Sequence, residues 1–94
     1  MILYRAVCQK EYEETVKYGK AQFLRRFKWF SPSLDFVKQR VLDGKFGNSC
    51  FVPGKYVRIL SFEAETEKAD WVRGNEVQFS VRRNAQIVLI GEVL

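Results

Sequence analysis

The chain has 94 residues, 47% hydrophobic and 29% charged, with sixteen Lys and Arg against eleven Asp and Glu for a formal charge of +5. That length suits one domain, and the composition is that of a folded chain rather than a disordered one. There is no histidine, which excludes histidine-based zinc sites and Ser-His or Cys-His catalysis and leaves Glu, Asp, Lys, Tyr or Cys as any general base.

Aromatics make up 15%, with eight Phe, four Tyr and two Trp. Large rings help a short chain build a core, and the same rings can line a pocket or stack on bases. The positive balance favours anionic partners: nucleotides, nucleic acid or an acidic protein surface. Cys8 and Cys50 are far apart and form no C-x-x-C pair, so they are read as reduced and buried. No stretch approaches the roughly 20 apolar residues of a membrane span. Residues 1–7 lack the length and basic flank of a signal peptide. The chain therefore reads as a cytoplasmic protein that starts at its own Met1 and does not touch the membrane.

Residues 2–7 predict a first strand. Both faces are mostly apolar, which suits a central position. Arg5 shares a face with Leu3 and Val7. Its guanidinium needs a partner: a carboxylate within the fold, solvent at the strand end, or a ligand anion. Residues 9–18 predict a helix packed on the sheet. Tyr12 and Val16 stand four apart, Glu11, Glu13 and Glu14 suit the early turns, Glu13 can pair with Lys17, and Gly19 is a good stop.

Residues 20–28 carry Arg25, Arg26 and Lys28 among Phe23, Leu24 and Phe27. The segment is either a connector with solvated charges or a surface for single-stranded nucleic acid, where cations meet phosphates and rings meet bases. Next comes Trp29-Phe30-Ser31-Pro32-Ser33, where an extended segment breaks into a helix. Trp29 and Phe30 look buried. Either Ser31 caps the helix with Pro32 at its first position, or Ser33 caps it with Asp35 at its second. Leu34, Val37 and Val41 form the apolar face, and the helix ends near Leu42, before Asp43-Gly44. The first N–H groups of a helix have no internal partner and carry the positive end of its dipole, so this corner suits an anion or nucleotide as well as a plain cap.

The second half reads as mainly β. Residues 46–52 predict a short strand, and Val52-Pro53-Gly54-Lys55 has the Pro-Gly centre of a type II turn. Residues 56–65 predict a long strand with imperfect alternation, and residues 65–70 a polar loop. Residues 76–81 alternate well, with Val77, Phe79 and Val81 on one face and Glu76, Gln78 and Ser80 on the other. Arg82-Arg83-Asn84-Ala85 reads as a hairpin turn into a last strand over 86–93. Two short helices in the N-terminal half and a β-rich C-terminal half predict a small single α+β domain with a mostly antiparallel sheet.

Three short motifs, in this order, resemble those of ADP-ribosyltransferase-like proteins. They are Leu3-Tyr4-Arg5 in the first strand, Trp29-Phe30-Ser31-Pro32-Ser33 before a helix, and Glu76 in the later Glu-Val-Gln-Phe strand. The resemblance implies NAD as cofactor. Arg5 would hold the pyrophosphate or ribose side, and Ser31, with Ser33 beside it, would hold the strand geometry and the nicotinamide ribose. Tyr4, Trp29 or Phe30 would wall the nicotinamide. Glu76 would be the catalytic carboxylate that stabilises an oxocarbenium-like transition state. The sequence departs from the family pattern at Gly74, where a second acidic or glutamine residue is usual. Glu63-Ala64-Glu65 has that spacing instead and makes Glu65 the rival of Glu76. The segment that closes over NAD is absent or cut down, so the fold can be kept while catalysis is lost.

Two functional expectations follow. One is an ADP-ribosyltransferase-like domain that binds NAD or a related nucleotide. The other is a non-catalytic basic protein, of the inhibitor or adaptor kind that phages and mobile elements encode, which binds a protein or, through Arg25, Arg26 and Lys28, nucleic acid. A plain α+β structural domain is the third reading.

Overall fold

The computed structural model describes residues 1–23, 27–44, 46–47, 54–81 and 85–93. Strand β1 (Ile2–Val7) leads into helix α1 (Gln9–Tyr18), strand β2 (Phe27–Phe30) and helix α2 (Leu34–Leu42). A small hairpin of β3 (Phe46–Gly47) and β4 (Gly54–Lys55) follows, then β5 (Arg58–Ala64), β6 (Trp71–Arg73), β7 (Glu76–Ser80) and β8 (Ile87–Glu92). The architecture is α+β, both helices lie in the N-terminal half, and every strand pair among the described residues is antiparallel. No helix among the described residues is long and apolar enough to cross a membrane. Cys50, residues 48–52 of the short strand predicted over 46–52, residues 52–53 of the turn predicted at 52–55 and residues 82–84 of the turn predicted at 82–85 lie outside the described residues. Cys8 is buried as a free thiol.

Two three-stranded sheets form, in the orders β1-β5-β8 and β2-β7-β6. They pack through Leu3, Val7, Leu60 and Phe62 of the first against Phe30, Val77 and Phe79 of the second. Phe30 sits edge-on to Phe62 (5.2 Å) and to Phe79 (5.7 Å). Burial of such a ring contributes about 1.5–3 kcal/mol, and each edge-to-face contact about 0.5–1.5 more. The opposite face of the first sheet is covered by α2, whose Val37 packs with Ala6, Tyr56 and Ile59.

This layering corrects several expectations. Strand β1 ends its sheet rather than lying inside it. Its two apolar faces come from the layer on each side, not from neighbours in the ladder. The strand between partners is β5, where Ile59, Leu60, Ser61 and Phe62 are all buried. That is why its alternation was poor: a strand covered on both faces needs no polar side. The predicted hairpin between residues 76–81 and 86–93 does not form, because β7 pairs with β2 and β6 while β8 crosses to β5. The hairpin in this region is β6–β7, closed by Gly74-Asn75 with Gly74 at φ 56°. A left-handed residue there favours glycine, which explains Gly74 without reference to catalysis. Strand β6 was not expected from the sequence, although Gly-Asn is a recognised hairpin signal.

Both helix starts are locally determined. Ser33 caps α2, its Oγ accepting from the Phe36 N–H at 3.2 Å, so Asp35 falls in the first turn. Ser31 is therefore not the cap; its Oγ accepts from the Ser33 N–H at 3.0 Å. The cap contributes about 1 kcal/mol. Helix α1 departs in part from its predicted face: Tyr12 packs against the core as expected, but Val16 does not. Its buried residues are Glu11 and Thr15, while Val16 is 49% exposed.

Candidate functional site

The two sheets meet at one seam. Tyr4 of β1 and Ser31, just past β2, exchange both backbone hydrogen bonds, at 2.7 and 2.9 Å. In an antiparallel ladder the next such pair would be Ala6 with Trp29. It does not form: Tyr4–Ser31 is the one bridge between β1 and the β2 segment among the described residues. The strands splay apart there and open a cleft of about 440 Å³.

Arg5 spans the start of the gap. Its Nη1 donates to the Trp29 carbonyl at 2.7 Å, replacing a ladder bond with a side-chain bond. Its Nε and Nη2 donate to the two Glu11 oxygens at 2.6 and 3.1 Å. Lys28 Nζ reaches Glu11 Oε2 at 3.0 Å. Glu11 and Lys28 are buried, and the Arg5 side chain is 11% exposed. This answers the question that Arg5 posed: its fork is met by a carboxylate within the fold. It also explains the polar inner face of α1, since a buried cation needs a partner more than the core needs one further apolar side chain. The expectation that Lys28 adds to a solvated or nucleic-acid-binding charge surface is corrected in the same way: its ammonium is buried against Glu11. Arg25 and Arg26 lie outside the described residues.

The walls of the cleft come from different layers. On the side of β1 and α2 stand Tyr4, Ala6, Phe36, Arg40 and Tyr56; on the side of β2 and β7 stand Phe27, Trp29 and Glu76. Phe30 and Ser31 close the seam between them. Arg40 lies over the Tyr56 ring at 5.7 Å. Trp29 meets Trp71 edge-on at 5.1 Å. Glu76 is half-buried and makes no ion pair among the described residues. The alternation that turns Tyr4 and Ser31 toward each other also turns the peptide groups of Ala6 and Trp29 into the opening.

No protein-family model, curated protein or solved structure matches this chain.

Of the site residues expected from the sequence, Tyr4, Arg5, Trp29, Phe30, Ser31 and Glu76 all line the cleft. Ser33 does not, and its hydroxyl is used as the α2 cap. Glu65, the rival of Glu76, is also outside it. Lys68 pairs with Glu65 at 3.0 Å, and that hydrogen bond holds the carboxyl below the usual glutamate range. Glu63 is engaged by the amino group of Met1. Sequence reasoning missed Ala6, Phe27, Phe36, Arg40 and Tyr56. A signal for two of them was present: Phe36 and Arg40 stand four apart, so they share one stripe of α2 beside its apolar face. Among the described residues no three His, Cys, Asp or Glu side chains gather as a metal site requires.

Proposed function

We propose that this chain is a small ADP-ribosyltransferase-like domain that holds NAD or a related nucleotide in the seam cleft and transfers ADP-ribose to a macromolecule. The observation that carries this reading is convergence. Residues from β1, from the β2–α2 corner and from β7 were singled out by the resemblance, and they line one cleft.

The chemistry of NAD⁺ suits the two walls. The nicotinamide ring is cationic while its glycosidic bond is intact, and the Glu76 carboxylate attracts it. As that bond breaks, its electron pair leaves with nicotinamide, which becomes neutral, and positive charge moves to the ribose ring. Glu76 stabilises that developing charge. An acceptor nucleophile then bonds to the ribose carbon and gives up its proton. Trp29 and Tyr4 supply rings against which the flat nicotinamide lies. A carboxamide needs one donor and one acceptor side by side, and the Ala6 peptide groups offer both. Arg5 serves this site as a positioning residue, by holding the Trp29 carbonyl. Backbone amide NMR during an NAD⁺ titration tests the reading. Saturable shifts are expected at Tyr4, Arg5, Ala6, residues 29–33 and Glu76. No shift at millimolar NAD⁺ sinks it.

A second reading has its own support. The outer face of β2-β7-β6 carries Phe27 (51% exposed) and Trp71 (40% exposed), with the Arg73 guanidinium 5.8 Å over the Trp71 ring. Exposed rings beside a cation suit a non-catalytic protein that stacks bases of single-stranded nucleic acid. That reading requires binding to oligonucleotides that weakens steeply with salt and is lost in Trp71→Ala.

A further inference from the structure

We infer that Arg40, on α2, is the group that holds the phosphates of a nucleotide in the seam cleft, with Tyr56 as its backing ring, and that Arg5 is not. The inference rests on the nucleotide reading of the cleft and assigns the polarity with which the ligand lies in it.

The argument starts from which cation is committed. Arg5 directs Nε and Nη2 to Glu11 and Nη1 to the Trp29 carbonyl, so its fork is already used bidentately by a buried carboxylate. A phosphate could take Arg5 only by displacing Glu11, which is itself 3% exposed. Lys28 is held by the same carboxylate. Arg40 is in a different position. It lines the cleft from the α2 wall, is half-buried, and makes no ion pair among the described residues. The nearest acidic side chain along the helix, Asp43, accepts instead from Gln39 Nε2 at 2.8 Å. The Tyr56 ring lies 5.7 Å from the guanidinium carbon, a cation–π contact that steadies the group without using its N–H donors. A guanidinium whose donors are not spent on a carboxylate can pair with two phosphate oxygens at once.

Position gives the second half of the argument. Arg40 and Glu76 line the cleft from different elements, Arg40 from α2 and Glu76 from β7. A ligand with an anionic and a cationic end is therefore oriented: phosphates toward Arg40 and Tyr56, the cationic base toward Glu76 and Trp29. The C-terminal turn of α2 is the negative end of its dipole, which opposes an anion there. That end amounts to about half a charge against the full charge of the guanidinium, so the arginine prevails.

The experiment compares ADP-ribose, nicotinamide and NAD⁺ as ligands of the wild type, Arg40→Ala and Arg40→Gln, read by amide NMR and calorimetry. Arg40→Gln keeps the aliphatic stem, and far-UV circular dichroism checks that both variants are folded. The expected result is that ADP-ribose and NAD⁺ weaken by about 10- to 100-fold in both variants, the worth of a charge-assisted pair, while nicotinamide binds as in the wild type. Unchanged ADP-ribose affinity in Arg40→Gln, with wild-type binding intact, overturns the Arg40 assignment and leaves the nucleotide reading standing. Failure of the wild type to bind any of the three ligands overturns the nucleotide reading, and the phosphate site with it.

Discussion

The two sides of the seam handle charge in opposite ways. On the β1–α1 side, Glu11 is buried with Arg5 and Lys28 upon it. On the β7 side, Glu76 stands half-buried at the cleft with no ion pair among the described residues. The first is sealed beneath Arg5 and Lys28 and helps keep the layers together, whereas the second lines the opening itself. A carboxylate sealed from water must be paired, because its desolvation costs several kcal/mol. One at an opening keeps its hydration and can remain uncommitted until a ligand arrives. Arginines divide in the same way, with Arg5 fixed and Arg40 available.

The largest expected effect tests the buried side. Glu11→Ala removes the carboxylate that Arg5 and Lys28 share and is expected to cost about 3–5 kcal/mol in urea unfolding. A loss under about 1 kcal/mol would end the view that the triad holds the layers. Glu76→Gln tests the open side. Stability is expected to stay within about 0.5 kcal/mol, as for a surface substitution. Release of nicotinamide from NAD⁺ is expected to fall about 10²- to 10³-fold, the usual worth of one preorganised electrostatic group. If Glu76→Gln instead melts the protein and Glu11→Ala does not, the comparison is reversed.

Ser33→Ala sharpens the line between scaffold and site at the β2–α2 corner. It is expected to lower stability by about 1 kcal/mol through loss of the cap and to leave NAD⁺ affinity unchanged, since Ser33 does not line the cleft. A tenfold loss of affinity at unchanged stability would move Ser33 into the site. The smallest effect concerns Glu65, held below the ordinary carboxylate range by its hydrogen bond to Lys68. A carboxyl with a lowered folded-state value stabilises the fold at neutral pH. That contribution fades as the pH drops through the ordinary range to the lowered value. Glu65→Gln should therefore narrow its stability gap from the wild type on acidification. The gap should be slight at any pH because the pair is open to solvent.

Much of the scaffold was legible in the chain. The spans of β1, α1, α2, β7 and β8 match the periodicities and stops that announced them, because those signals are local: a two- or four-residue repeat, a serine cap, a glycine past a helix end. The α1 face was misread at Val16, though not at Tyr12, because periodicity favours apolar residues inside, while the decisive demand came from Arg5 on another element. Strand β6 and the routing of β8 were missed for a related reason. Three exposed residues have no periodic signature, and the choice between two sheets is made by packing rather than by the turn.

The sequence by itself determined the fold class and the corner at Ser31 to Ser33, and it singled out Tyr4, Arg5, Trp29, Phe30, Ser31 and Glu76, which line one cleft. Only the tertiary structure decided which charged groups are paired within the fold and which stand open at the cleft. The seam splays after Tyr4–Ser31, Glu11 comes up beneath Arg5, and α2 carries Arg40 to the cleft. The reason is physical. Propensity and capping act within a few residues of chain, whereas the pairing of a buried charge is settled between elements that meet only when the layers close.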